Sequence, residues 1–433
     1  PALPARRQGG EGSGGAASSP RPLFFWPRRA YVSAMADPKI HRCDVAIAGG
    51  GPVGLTLALA LARRGYETVV ADAGSPPGKG GSRDSRAYFI AYGVWRIFKA
   101  LGLEEALLAG AEPVMQVEAE GRIGGINFIA EDCAEPVLGY MVEARQLASV
   151  LHAAVEREQT ITLLSGAAIE AVTFDDPCAV LKLAGDEVHA PLVVGCDGAR
   201  SIVRRAAGLR FEGHDYDATA ISTTVKLSQP HNGAARQVFL PNGPMAVLPL
   251  RDDHANLIWT EKAAVAKALL ALDERGFELE LAKKAGDFVP GARLAGARHS
   301  FPIGLYVAER FDAKRMALAG DSAHVIHPLG GQGLNLGLKD VAALVDVIAG
   351  AGKAGLDIGA ASALEPYTRW RRTDVAATAA AMEGFAWVFS APLPVRLAAG
   401  LAMSVAGSVR ETRKVFAKEA GGEMGELPTL MAR

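Results

Sequence analysis

Apolar residues along this chain fall in short dense runs that stop at glycine, a pattern that predicts strands feeding tight turns. "CDVAIAGG" reads as a buried strand, with Val45, Ala46, Ile47 and Ala48 running straight into the turn. "LTLALALARRG" reads as a helix with Gly65 as its C-terminal stop, and "ETVVAD" is a second strand ending on Asp72. The pattern recurs in "LVVGCDGARSIVRRAAGL", where Asp197-Gly198 end an apolar strand and Ser201 and Arg204 open a helix. "RMALAGDSAHVIHPLGGQGLNLGLKDVAALVDVI" repeats it: a strand, Gly320-Asp321, a glycine loop at Gly330, Gly331 and Gly333, then a long helix. Strands alternating with helices in this way predict an α/β fold with a parallel sheet and crossover helices. "QVFLPNGPMAVLPL" alternates instead, around Val238, Leu240, Ala246 and Leu248, and predicts a half-buried sheet.

Gly49, Gly51 and Gly54 stand at the G-x-G-x-x-G spacing of a dinucleotide-binding βαβ unit. Gly49 permits the tight turn, Gly51 lets a pyrophosphate approach the backbone, and Gly54 lets the helix pack on the strand. The helix N-terminus then faces the phosphate charge. Asp72, eighteen residues after Gly54, ends the second strand where a carboxylate can accept hydrogen bonds from ribose hydroxyls. This unit alone leaves NAD and FAD both open. The Asp197-Gly198 and Gly320-Asp321 loops favour a large, tightly held flavin, because a nicotinamide dehydrogenase has no need of them. Asp321 can bind the ribityl chain, and the N-terminus of the last helix can face the flavin pyrimidine, where reduction leaves negative charge.

Composition narrows the reading further. The chain has 433 residues, 49% hydrophobic and 21% charged, which supports a large core and two to three domains. With 46 basic and 47 acidic residues it has no field that would draw nucleic acid. Cys43, Cys133, Cys178 and Cys196 are scattered, without disulfide or zinc spacing. His324 and His327 lie three apart with no third ligand at hand, so no metal is expected. His327-Pro328 is expected to shape its loop, with a proton-transfer role for His327 as the alternative. Residues 1–38 are rich in Gly, Ala, Ser, Pro and Arg, and are expected to be a disordered or non-native leader outside the fold. Targeting peptides share that composition, but with Met35 just before the first strand a misplaced translation start is the preferred reading. No run of 18 uninterrupted apolar residues exists; the nearest, Phe385 to Val409, is broken by Pro392, Pro394 and Arg396. That stretch reads as a buried helix, with a surface for lipid or a prenyl tail as the alternative.

The three glycine motifs together resemble the class A flavoprotein monooxygenases. "HPLGGQGLNLGLKD" is similar to the ubiquinone-biosynthesis hydroxylases within that class, the UbiH/UbiF/VisC type. "DSRAYFIAYGVWRIFKALGL", with Asp-x-Arg at Asp84 and Arg86, "RQVFLPNGPMAVLPLRDDHANLIWT" and the chain end "AKEAGGEMGELPTLMAR" extend the resemblance over roughly residues 42–433. The chain departs from the family in having Ala144 where Asn is usual, Asp72 where Glu is common, and bulky residues after Arg86.

The resemblance implies an FAD-binding Rossmann-like domain of the glutathione-reductase/aromatic-hydroxylase type, with an inserted β-sheet substrate domain and a C-terminal helical region. The expected division is 39–112, 144–212 and 294–350 for FAD, 113–143 and 213–293 for substrate, and 351–433 for the helical region. Implied cofactor contacts are Gly49, Gly51, Gly54, Asp72, Arg86, Asp197, Gly198, Gly320, Asp321, Gly331, Gln332, Gly333, Leu334 and Asn335. Arg204 is implied to contact the cofactor domain. Arg86 and His327 are the candidates for any direct part in catalysis, because in this class the flavin carries the chemistry through its hydroperoxide. The implied activity is hydroxylation of a polyprenylated phenol in ubiquinone biosynthesis. Molecular oxygen is co-substrate and NAD(P)H a transient reductant, since no second G-x-G-x-x-G is present. A hydroxylase of small soluble aromatics and a flavin-binding scaffold of a quinone-synthesis complex are the alternatives. The expected setting is bacterial cytoplasm, with contact to the inner membrane or to a quinone-synthesis complex.

Overall fold

The computed structural model describes residues 38–75, 86–120, 125–133, 135–326, 331–390, 395, 398, 401, 408–423 and 425–432. At its centre lie Val45–Ala48 (β1), Thr68–Asp72 (β2), Ile161–Ser165 (β3), Leu192–Gly195 (β4) and Met316–Leu318 (β5). They pair in parallel in the order β5-β4-β1-β2-β3, and Asp312–Ala313 adds an antiparallel edge beside β5. β1, β4 and β5 are buried at every residue because layers cover both faces, which is why their sequences are continuous apolar runs.

Pro52–Ala62 (α1) follows β1. Its proline lies in the first turn, where its missing N–H costs nothing. Gly54 through Leu61 are all buried, so this helix has no polar face; it packs between the sheet, Ala144–Val155 and Gln332–Lys353 (α2). Each of its four buried leucines contributes about 1.5–3 kcal/mol relative to exposure. Ala361–Ser390 (α3) then packs along α2.

A nine-stranded sheet adjoins this centre, with His324–Val325 as its edge strand. It joins Gln116–Glu120 and Gly125–Ile129 to strands drawn from residues 211–262. One of its faces is covered by the helices Ala263–Ala271 and Glu274–Ala285, with a separate core that includes Trp259, Phe277 and Leu257.

Two expected boundaries move. His299–Ala308 belongs to this sheet and not to the flavin-side segment 294–350, because it pairs along Phe211–Ser222. Gly139–Glu143 pairs with Ala87–Ala91 on one side and Glu112–Val114 on the other in a three-stranded sheet of their own, so only the middle of 113–143 reaches the large sheet. Most of the apolar stretch Phe385 to Val409 lies outside the described residues. The C-terminal helical region is present, with helices Ala361–Ser390 and Arg410–Ala420, and the chain end docks on the main core: Met431 is fully buried there, and the Gly421 carbonyl accepts the Gly93 N–H at 2.9 Å.

Candidate functional site

The turn after β1 is built from backbone alone. Gly49 has φ +105°, and a Cβ there would stand 2.4 Å from the Cys196 carbonyl oxygen, so both conformation and space require glycine. A Cβ on Gly54 would lie 2.0 Å from the Gly49 oxygen, whereas one on Gly51 would meet nothing within 4 Å. Gly49 and Gly54 therefore close the turn against the protein, and Gly51 leaves it open at the α1 N-terminus. The Asp72 carboxylate accepts the N–H groups of Gly50 and Gly74. It braces the turn that the ligand must meet.

The Asp197-Gly198 loop lies directly against this turn, through the Gly49–Cys196 approach. Asp197 Oδ2 accepts from Ile202 N at 2.6 Å and from Val203 N at 3.4 Å, while its Oδ1 is buried and has no hydrogen-bond partner among the described residues. Arg204 is buried. Its Nη1 donates to the Ser322 carbonyl and its Nη2 to the Ala199 carbonyl, each at 2.6 Å. Its guanidinium also stacks 3.7 Å from the Phe211 ring centroid. One cation thus ties the Asp-Gly loop to the Gly-Asp loop, a clamp on the two loops.

In the third loop Gly320 has φ +66°, and a Cβ on it would press on Val53 of α1 at 3.1 Å. Asp321 is exposed, yet enough protein surrounds it that desolvation pushes its carboxyl pKa up, against the pull of His324 and Arg86. A carboxyl that is both open and crowded lies on the wall of a cleft. Gly331, in the left-handed region at φ +64°, is the N-cap of α2, and a Cβ on Gly333 would meet nothing within 4 Å. Gln332 and Leu334 are half-buried in the same first turn. Asn335 is turned inward: its Nδ2 donates to the Phe89 carbonyl at 2.8 Å and its Oδ1 accepts from Ala91 N at 2.9 Å. It fastens α2 to the three-stranded sheet. Arg86 is exposed, and the Ala144 N–H donates to its carbonyl at 2.9 Å. Asp84, His327 and Gly330 lie outside the described residues.

The three loops therefore converge beside two helix N-termini. Open Cβ positions at Gly51, Gly198 and Gly333, the orphaned Asp197 oxygen and the crowded Asp321 carboxyl fit a long dinucleotide with a charged middle. A family model described as an FAD binding domain matches residues 42–381. Ubiquinone hydroxylase UbiL of Rhodospirillum rubrum is 36% identical over 395 residues, covering 90% of this chain and 92% of that protein. The chain belongs to the FAD-dependent ubiquinone-hydroxylase family. It is an FAD-dependent monooxygenase, and FAD is its cofactor.

Other family resemblances agree. The 3-demethoxyubiquinol 3-hydroxylase of Escherichia coli is 35% identical over 360 residues, covering 81% of this chain and 91% of that protein. The crystal structure of p-nitrophenol 4-monooxygenase PnpA from Pseudomonas putida DLL-E4 superposes with TM-score 0.76 at 20% identity, covering 90% of this chain and 99% of that one. That last likeness is one of fold. FAD, when bound, would supply the redox chemistry that a monooxygenase needs to activate oxygen.

Sequence reading missed the groups that hold these loops in place. Ser322 Oγ donates to the Gly195 carbonyl at 2.5 Å, tying the third loop to β4. Asp340 and Arg371, both buried, are ion-paired at 2.7 Å behind it. The available signal was an acid in the long helix after "GQGLNLGLK", among residues whose apolar spacing marks the covered side. His324, weighed as a metal ligand, donates to Asp340 instead.

Proposed function

We propose that this enzyme hydroxylates the aromatic ring of a polyprenylated phenol in ubiquinone biosynthesis, with NAD(P)H as electron donor and molecular oxygen as the oxygen source. The observation that carries the reading is identity of 35–36% to two ubiquinone-pathway hydroxylases across more than four-fifths of the chain.

The nine-stranded sheet supports it. Met245 pairs with Trp259 and Val247 with Leu257 on the helix-covered side, so the intervening Ala246 and Ile258 point to the other side. Ala246, Leu248, Ile258 and Phe301 are only half-buried there, and Gln237 and Thr260 are the polar neighbours. A largely apolar wall with few polar groups suits a phenol ring that carries a hydrocarbon tail. The roles we assign to the chain are to hold the ring flat against this wall and to keep water from the flavin. Gly49, Gly51 and Gly54 seat the pyrophosphate, Asp72 the ribose, and Asp321 with the first turn of α2 the flavin end. Asn335 and Arg204 act by positioning.

A prenylated substrate resides in a bilayer, so we place the enzyme at a membrane surface. Among the described residues no helix is long and apolar enough to cross one.

The test is expression of the chain in bacterial strains that each lack one ring hydroxylation of ubiquinone synthesis, followed by quinone profiling by mass spectrometry. Return of ubiquinone in one strain is the expected result and identifies the ring position. Persistence of every intermediate, despite folded and FAD-loaded protein, overturns the proposal.

A further inference from the structure

We propose that Asp340 is a positioning residue that locks the Gly320–His324 turn to α2, so that Asp321 and the first turn of α2 meet FAD as one rigid unit. The inference needs FAD binding but is independent of which phenol is the substrate.

Asp340 is fully buried in α2. Its Oδ2 accepts the Gly320 N–H at 2.9 Å and the His324 Nε2 at 2.6 Å. Gly320 immediately precedes Asp321 and His324 follows it by three, so one carboxylate holds both ends of the turn. There is no slack between the parts. A Cβ on Gly337, one turn before Asp340 on α2, would stand 3.1 Å from the Gly320 Cα. Asp340 Oδ1 accepts Arg371 Nε at 2.7 Å, which brings α3 into the same joint.

Two other side-chain restraints on this turn pull in a different direction. Ser322 Oγ reaches the Gly195 carbonyl in β4, and Arg204 reaches the Ser322 carbonyl from the Asp-Gly loop. They hold the turn to the sheet. Only Asp340, among the described residues, bonds it by a side chain to the helix whose N-terminus completes the flavin end. Burial pushes the Asp340 carboxyl pKa up, but the charges of His324 and Arg371 outweigh this and hold it below the ordinary carboxylate range. The joint is thus ionic and fully desolvated, which makes it geometrically demanding.

The test uses the full-length chain with Asp340→Ala, His324→Ala and His324→Gln. Each apoprotein is titrated with FAD by fluorescence quenching, and the visible circular dichroism of the bound flavin is recorded together with the apoprotein melting temperature. We expect Asp340→Ala and His324→Ala to weaken FAD binding about tenfold or more and to change the flavin dichroism. His324→Gln should stay within about threefold of the parent, because its amide N–H can donate to the same carboxylate. Binding by Asp340→Ala within about twofold of the parent overturns the proposal. So does a His324 pair that loses melting temperature alike while FAD affinity and dichroism stay unchanged, the signature of a merely structural joint. Should Asp340→Ala fail to fold, the contrast between the two His324 variants decides.

Discussion

In a Gly51→Ala variant the added methyl stands at the N-cap of α1, where among the described residues it would meet no heavy atom within 4 Å beyond its chain neighbours, and the backbone is extended at φ −73°, ψ 179°. Any residue adopts that conformation, so the apoprotein should hardly notice. Replacing glycine by alanine at an N-cap costs up to about 1 kcal/mol, and stiffening the unfolded chain returns about 0.4–1 kcal/mol. Stability should therefore change by less than about 0.5 kcal/mol. Cofactor binding is different, because the methyl occupies the space through which the pyrophosphate would reach the backbone. Loss of one charge-assisted hydrogen bond costs about 2 kcal/mol, or about thirtyfold in Kd. Gly54→Ala is the contrasting case. Its methyl would lie 2.0 Å from the Gly49 oxygen, and Gly49 cannot yield because its own N–H is bonded to the Ala71 carbonyl at 2.8 Å. Overpacking of that kind should cost the apoprotein about 3 kcal/mol. Urea unfolding of the two apoproteins and FAD titration by fluorescence separate the effects. If Gly51→Ala binds FAD as tightly as the parent, or loses stability as Gly54→Ala does, the assignment of this turn as the phosphate seat is wrong.

Asp321→Asn should stabilise the apoprotein near neutral pH while weakening FAD binding. The folded-state pKa of Asp321 is raised by desolvation, so the stability linked to it is present below the ordinary carboxylate range and lost as pH rises through the folded value. Thermal melts across pH should accordingly show the gain shrinking on acidification; a gain that grows instead contradicts this account. Arg204→Met leaves the Ser322 and Ala199 carbonyls without their donor, and should cost about 3 kcal/mol by urea unfolding. A loss under about 1 kcal/mol would show that the clamp is idle. Ile258→Glu places a charge on the uncovered face of the large sheet, and should lower kcat/KM for a prenylated phenol more than about tenfold. Its FAD affinity should be unchanged, and equal loss of both would place Ile258 away from the substrate wall.

The glycine turns were legible in the sequence because backbone geometry leaves few residue choices. A turn at φ +105° and a helix packed so closely that a Cβ on Gly54 would stand 2.0 Å from a carbonyl oxygen both select against a side chain, so glycine appears where such a turn is built. Asn335 shows the limit of that reading. Its place in "GQGLN" reads as a ligand contact, yet its side-chain atoms are taken up by the Phe89 carbonyl and the Ala91 N–H, more than two hundred residues away. An amide beside a glycine loop looks the same in sequence whether it turns outward or inward.

The chain alone therefore determined the α/β character and the glycine turns that end its parallel strands, since each depends on contacts between near neighbours and on runs of apolar residues. Tertiary structure decided what depends on distant partners. His299–Ala308 carries an alternation that would suit either sheet, and only its pairing with Phe211–Ser222 assigns it to the large one. Asp340 could as well have faced water on an ordinary helix. Its three donors come from Gly320, His324 and Arg371, which are 20, 16 and 31 residues away in the chain. A buried charge is stable only where its partners are brought to it, and no local pattern records which partners those will be.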